Sequence, residues 1–260
     1  MAKADLEAVQ VFADALRRMN RRAGEVRKIA AFADPLQPVD PANYLEGAFP
    51  VACVALPYLC LDNICRYVRN VNGALPLCLR TMEDGAGTAG GRSVRGACIA
   101  WRGCGFLLAD EQDSPDEQRF SLMHEGAHFL LDYYLPRLEA IRKVGPKVRD
   151  VLDGRREPTY TERFHAVLRG AQLEWHTHLY DRRAAHREQA EYDADALACL
   201  LMTPAFDLNT LSEMSTSTLN RLVADASLPG SIAPLYRTSL GVLAAPPKPK
   251  TGGLLGRLTR

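Results

Sequence analysis

Two histidines four residues apart with a glutamate between them, His124-Glu125-Gly126-Ala127-His128, constrain this chain more than any other stretch. Residues at i and i+4 lie one turn apart on the same face of an α-helix. Two imidazoles so placed can share one Zn²⁺ and leave coordination positions for another ligand and a water. Glu125 stands beside the first histidine, where a carboxylate can take a proton from that water. The blander reading is two histidines satisfied by hydrogen bonds at a helix surface.

The flanking residues predict that helix. Ser114-Pro115-Asp116-Glu117 reads as a capping box with proline at the first helical position. Phe120, Met123, Ala127, Leu130 and Leu131 then recur at helical spacing. Phe129 adds to the apolar character beyond the histidines, so burial is expected. A histidine in an apolar wall stays neutral and keeps a lone pair for a metal. Pro136 is expected to end or kink the helix.

A tetrahedral catalytic site takes a third protein ligand. Residues 188–202 read as a second helix, with Leu197, Leu200 and Leu201 on an apolar stripe. Glu188, Glu191 and Asp195 fall at i, i+3 and i+7 and share a face. Acids beside so apolar a stripe are costly unless a cation meets them. A solvated acidic face is the competing explanation. Glu191 is the ligand this spacing favours, with Glu188 and Asp193 as competing carboxylates. Asp195, one turn on, is placed to accept the free ring N–H of His124 or His128.

Two stretches carry a resemblance. Arg119-Phe-Ser-Leu-Met-His124-Glu-Gly-Ala-His128-Phe-Leu-Leu resembles the zinc-helix motif of the ImmA/IrrE metallo-endopeptidases. Ala190-Glu191-Tyr-Asp-Ala-Asp195 through Leu-Leu-Met-Thr-Pro204 resembles that family's second signature. The resemblance spans roughly residues 55–240. It implies His124, His128 and Glu191 as metal ligands and Glu125 as catalytic base. It also implies cytoplasmic, site-limited cleavage of a regulatory protein, often an Xre-type helix-turn-helix repressor. Two features depart from the family pattern. Thr203 is inserted before Pro204, and the stretch between His128 and Glu191 is long, which suggests an insertion over about 137–185.

Composition excludes several other classes. The chain has 260 residues, 47% hydrophobic and 24% charged, with a net charge of +1. That balance suits one or two compact domains and gives no global argument for nucleic acid or membrane. No apolar run reaches the ~18 residues of a membrane span. The first residues lack the apolar core of a signal peptide. The seven cysteines show no C-x-x-C spacing, which predicts reduced, mostly buried thiols.

Along the chain, residues 4–31 predict one amphipathic helix with Leu6, Val9, Phe12, Ala13, Leu16 and Met19 inward. Its basic residues, Arg17, Arg18, Arg21, Arg22, Arg27 and Lys28, are expected on a solvated face. Pro35, Pro38 and Pro41 suggest a linker. Asp62 is placed to cap a short helix. Residues 75–79 and 95–110 read as strands, the latter folding back around Arg102-Gly103-Cys104-Gly105. The glycines of 85–92 fit a hairpin tip and match no phosphate loop. Thr159-Tyr-Thr-Glu162 is a further capping box, opening a helix to about Arg169. His176 and His178 share a face if extended, as backbone-bonded loop residues, as stabilisers of substrate or oxyanion, or as ligands of a second metal. His165 and His186 read as surface residues. Residues 217–226 and 233–240 read as helices.

The expected fold is therefore α+β: a mainly helical, zincin-like metallopeptidase domain with a small antiparallel sheet and a helical C-terminal region. Its expected parts are a helix and linker over 1–45, the peptidase domain over 46–241, and a disordered tail over 242–260. The expected activity is zinc-dependent endopeptidase cleavage, with Mn²⁺ as the alternative metal, no direct nucleic acid and no membrane. One rival is a metal-bound regulator that binds a partner without cleaving it. The other is a DNA-binding regulator using the 4–31 helix.

Overall fold

A computed structural model of the chain describes residues 3–30, 38–72, 95–171, 173, 184–204 and 206–244. The strand expected at 75–79, the glycine-rich 85–92, Cys78, His176, His178 and residues 245–260 lie outside them. So do the side chain of His186 and Pro35 of the expected linker, whereas Pro38 is described, as a bend leading into the next helix.

Helix α1 (Lys3–Ala30) buries Val9, Phe12, Ala13, Leu16, Met19, Ala23 and Val26. The expected inward face is thus met, apart from Leu6, which is 59% exposed. Arg17, Arg21 and Arg22 stay on the outer face, paired with Asp14 and Glu25. Arg27 does not. It turns inward and donates to the carbonyls of Leu200, Thr203 and Phe206. The Leu200 carbonyl lies in the last turn of the helix that ends at Met202, and those of Thr203 and Phe206 lie just beyond it, where helical donors run out, so a half-buried guanidinium finds acceptors there. Pro41 opens helix α2 (Pro41–Ala48) at its first turn, behind the Asp40 cap, and is not part of a linker.

Strand β1 (Val51–Leu56) leads to α3 (Leu61–Asn72), with Asp62 in the helix's first turn. Strands β2 (Gly96–Trp101) and β3 (Cys104–Asp110) form a hairpin. Its turn is the two residues Arg102 and Gly103, at φ +49° and +91°. Positive φ at both central positions matches the right-handed twist of the flanking strands and closes the hairpin tightly. The sheet order is β1-β3-β2. β2 and β3 are antiparallel, but β1 pairs with β3 in parallel, Val51 opposite Gly105 through Leu56 opposite Asp110. The described sheet is therefore mixed, correcting the expected antiparallel one. The continuous apolar run of β1 has no alternation to announce a strand, and its partner lies some fifty residues downstream.

Alternation along the hairpin sorts the two faces of the sheet. Ala97, Ile99 and Leu108 pack with Leu59, Ile64, Cys65 and Val68 around α3. Cys98 and Leu107 join the main core on the other face. Against that face lies α4 (Pro115–His128), started by Ser114, whose Oγ accepts from the Glu117 N–H. Asp116 and Glu117 in its first turn suit the positive helix N-terminus.

The helical run does not stop at Pro136. α-Helical bonding gives way at His128 to a π-helical segment, Phe129–Tyr134, in which Leu135 N–H donates to Leu130 O. Helix α5 (Leu135–Val144) then continues with Pro136 in its first turn. Proline cannot donate to the carbonyl four residues back and its ring collides with it. A wider turn ahead of the proline absorbs both problems, as π-bulges do.

Residues after Val144 form a small satellite around Ala140, Val148, Val151 and Leu152. It contains a 3₁₀ turn (Pro146–Val148), α6 (Arg149–Leu152) and α7 (Tyr160–Arg169). α7 has the capping box expected from Thr159 and Glu162. Helix α8 (Ala184–Met202) then crosses the centre of the molecule between α1 and α4. Its residues 194 and 196–202 are fully or almost fully buried. Alanine at 194, 196 and 198 keeps that crossing narrow. Thr203 at its end is buried, its Oγ1 donating to Cys199 O and lying 3.0 Å from the Tyr236 hydroxyl. Thr203 thus ties α8 to the C-terminal helices. Those are α9 (Thr216–Asp225) and α10 (Ala233–Ala244), the second running past the expected boundary at 241. No helix among the described residues is long and apolar enough to cross a membrane.

Candidate metal centre

Helix α4 presents His124 and His128 toward α8, and α8 presents Glu191 and Asp195 toward α4. Ligand atoms of His124, His128 and Glu191 all lie within 4.8 Å of one another. The two Nε2 atoms are 3.1 Å apart, and Glu191 Oε2 is 3.3 Å from His124 Nε2 and 3.5 Å from His128 Nε2. Atoms bound to one ion at about 2.0–2.1 Å in a tetrahedron lie roughly 3.3 Å apart. The spacing therefore fits three ligands of a single ion.

The outer ring nitrogens explain the orientation of the imidazoles. His124 Nδ1–H donates to Asp195 Oδ1 at 2.7 Å. His128 Nδ1–H donates to Asp132 Oδ2 at 3.0 Å. Each carboxylate fixes a proton on Nδ1 and turns the Nε2 lone pair toward the shared point. Sequence reasoning picked out Asp195 and missed Asp132. Its signal was present: a lone acid at i+4 from His128 inside the apolar run Phe129-Leu-Leu-Asp132-Tyr-Tyr.

Electrostatics point the same way. Burial opposes a charge on His124, but hydrogen bonds to Asp195 and Glu191 outweigh it and raise its pKa. Burial likewise opposes charge on His128, and Asp132 and Glu191 reverse the sign. Hydrogen bonds from both imidazoles hold the Glu191 carboxyl far below its usual range. The carboxylates thus call for positive charge. Two Nε2–H protons would face each other across 3.1 Å, whereas one dication between the rings satisfies both lone pairs. The histidine side chains are 17% and 15% exposed and Glu191 52%, so the site opens on the Glu191 side.

Glu125 points from α4 to the sheet. A Cβ built on Gly96, at the start of β2, would lie 2.6 Å from Glu125 Oε1. The missing side chain at Gly96 is the space the carboxylate uses. The next residue of the motif, Gly126, faces the other way: a Cβ there would lie 2.6 Å from Leu45 Cδ1 on α2. Both close approaches use the space left by the absent Cβ.

The competing carboxylates are placed elsewhere. Asp193 accepts from Arg18 on α1, at 2.8 Å, and from Gln189. Glu188 is exposed and outside the three-residue group. Tyr192 makes an edge contact with Phe12 of α1. One side of α8 therefore serves α1 and the other serves the site. His176 and His178 lie outside the described residues. His165 is half-buried on α7, in the satellite.

Among the six described cysteines, Cys53, Cys60, Cys98, Cys104 and Cys199 are free thiols. Cys65, Cys98 and Cys199 are buried, Cys53 and Cys60 half-buried, and Cys104, unlike the expectation for this group, is exposed. Burial, with Glu46 and Asp40 nearby, pushes the Cys53 thiol up to about 12.

No family model, curated protein or solved structure matches this chain. The resemblance given above therefore rests on its two motifs.

Proposed function

We propose that the chain is a zincin-like metallo-endopeptidase. The observation that carries this reading is the convergence of His124, His128 and Glu191 on one point, with Glu125 next to His124 on α4. The donor set of two imidazoles and one carboxylate suits Zn²⁺, and Mn²⁺ also accepts it. A divalent ion there supplies Lewis-acid polarisation of a carbonyl and makes a water more acidic.

The rest is the work of the chain. Asp195 and Asp132 hold the imidazoles in the tautomer that faces the ion. Glu125 takes a proton from the attacking water as the C–O bond forms, then gives it to the amine nitrogen as the C–N bond breaks. β2 is a terminal strand of the described sheet and lies beside Glu125. Its outer edge can pair with an extended peptide, which supplies alignment through main-chain hydrogen bonds.

The substrate class we favour is an Xre-type helix-turn-helix repressor, met in the cytoplasm. The test pairs wild type with Glu125→Gln, each incubated with Zn²⁺ or Mn²⁺ and a repressor encoded beside this chain. Cleavage is read on a gel and operator release by gel shift. Fragments with wild type alone support the peptidase. Operator release by both proteins without fragments replaces it with the metal-bound regulator. In parallel, His128→Ala and Glu191→Ala should lose bound metal while Glu188→Ala keeps it. Metal retained in Glu191→Ala would move the ligand along α8.

A further inference from the structure

α7 is an amphipathic helix turned the unusual way round. Ala166 packs inward, while Tyr160, Phe164, Val167 and Leu168 are 84%, 52%, 81% and 67% exposed. These four fall at i, i+4, i+7 and i+8 and form one apolar stripe on a helix surface. Contiguous apolar surface of this kind on a folded chain marks an interaction site.

Two further features adjoin the stripe. A groove of about 700 Å³ runs beside it, lined by Val151, Pro158, Val167 and Leu173, with Arg155 and Arg163 at its rim. The surrounding charge is also one-sided. Residues 137–171 hold nine Lys and Arg against five Asp and Glu, a net +4 in a chain whose total is +1. The rim arginines are weakly engaged at home. Arg155 reaches Asp150 and Asp153 only at 3.6 Å, and Arg163 reaches Glu157 at 3.5 Å. Both arginines are more than half exposed, so these pairs contribute little and are free to exchange.

We infer that the α6–α7 face docks an amphipathic helix of a partner protein whose apolar side is flanked by carboxylates. The stripe and groove accept a row of apolar side chains spaced one turn apart, the helix-in-groove mode of recognition. The arginine rim selects acidic flanks. A second copy of this chain is a poorer occupant, because it would set the same exposed arginines Arg155 and Arg163 against one another. A bilayer is poorer too, because a flat surface leaves the groove empty.

The test measures binding, so it does not depend on Glu125 chemistry or on the peptidase reading. The full chain is titrated against three short fluorescein-labelled helical peptides, with polarisation as the signal. One has leucines at i, i+3, i+4 and i+7 flanked by glutamates. The second replaces the glutamates by lysines, the third the leucines by serines. The acidic amphipathic peptide should bind about ten-fold or more tighter than either control, and less tightly at high salt. Val167→Asp and Leu168→Asp alter exposed positions, so folding should survive, and each should weaken that binding about ten-fold. Arg155→Glu with Arg163→Glu should shift preference toward the lysine peptide. Equal binding of the acidic and basic peptides, or no binding of any, overturns the inference. Two other results do the same: a dimer in sedimentation that Val167→Asp dissolves, or capture by phosphatidylserine vesicles that Val167→Asp abolishes.

Discussion

His128 and Asp132 are joined by a 3.0 Å hydrogen bond that spans the point where α-helical bonding ends and π-helical bonding begins. The carboxylate sits one turn beyond the histidine, on the segment that accommodates Pro136. The same backbone irregularity that carries the chain past a proline therefore supplies the group that orients an imidazole.

Asp132→Ala should weaken metal binding about 10–100-fold, the usual effect of removing the carboxylate behind a ligating histidine. Asp195→Ala should do the same through His124. Competition with a chromophoric chelator measures both. An Asp132→Ala protein with wild-type affinity would leave His128 oriented by packing alone.

Gly96→Ala tests how Glu125 is positioned. The new methyl meets Oε1 at 2.6 Å, Cγ at 2.9 Å and Cδ at 3.1 Å. The glutamate is a flexible side chain and can swing aside, so fold and metal content should persist. If Glu125 is the base, turnover should fall about a hundred-fold or more, since displacement of a reacting group by about 1 Å has that effect. Full activity in a metal-loaded Gly96→Ala protein would mean that the carboxylate works from another position.

Gly126→Ala strikes packing instead of chemistry. Its methyl meets Leu45 Cδ1 at 2.6 Å and Cδ2 at 3.1 Å, and Leu45 is a fully buried member of the core. Overpacking of this kind costs about 1–3 kcal/mol, only partly offset by the ~1 kcal/mol gain of alanine over glycine in a helix. Urea unfolding should show net destabilisation in the wild-type background. Combined with Leu45→Ala, which opens the space, Gly126→Ala should cost nothing or stabilise. An equal cost in both backgrounds would separate Gly126 from Leu45.

Local chemistry was readable from the chain wherever a short stretch decides the outcome. Ser114 starting α4, Thr159 and Glu162 starting α7, and the hairpin around Arg102-Gly103 depend on neighbours within a few residues. The convergence of His124, His128 and Glu191 was also legible, because helical spacing places donors on a face before packing is known. Long-range features were not. The parallel β1–β3 pairing joins Val51–Leu56 to a strand some fifty residues later, and nothing within β1 names that partner. Arg27 reads as another charge on a solvated face, and only the end of α8 makes an inward turn favourable. Asp132 stood at helical spacing from His128, but a lone acid inside the apolar run Phe129–Tyr134 does not by itself say whether it meets the histidine or solvent.

Glu162 gives a prediction with a defined pH window. Its carboxylate accepts two hydrogen bonds from Arg156, at 2.6 and 2.8 Å, and one from the Thr159 N–H at 2.8 Å. These contacts, Arg156 foremost, bring its pKa down to about 2 from an ordinary 4.5. A carboxyl whose folded pKa is depressed adds stability that is complete above the unfolded value and is lost as pH falls through the folded one. Glu162→Gln removes the charge but keeps an amide oxygen able to complete the capping box, so it should destabilise α7 by roughly 0.5–1 kcal/mol near neutrality, the scale of a solvent-screened ion pair. That deficit should hold steady down to about pH 5, shrink between about 4.5 and 2, and vanish below, where wild type is protonated too. Urea unfolding of both proteins across that range, followed by circular dichroism, provides the measurement. A deficit unchanged at the acid end would assign the role of Glu162 to its shape and not its charge.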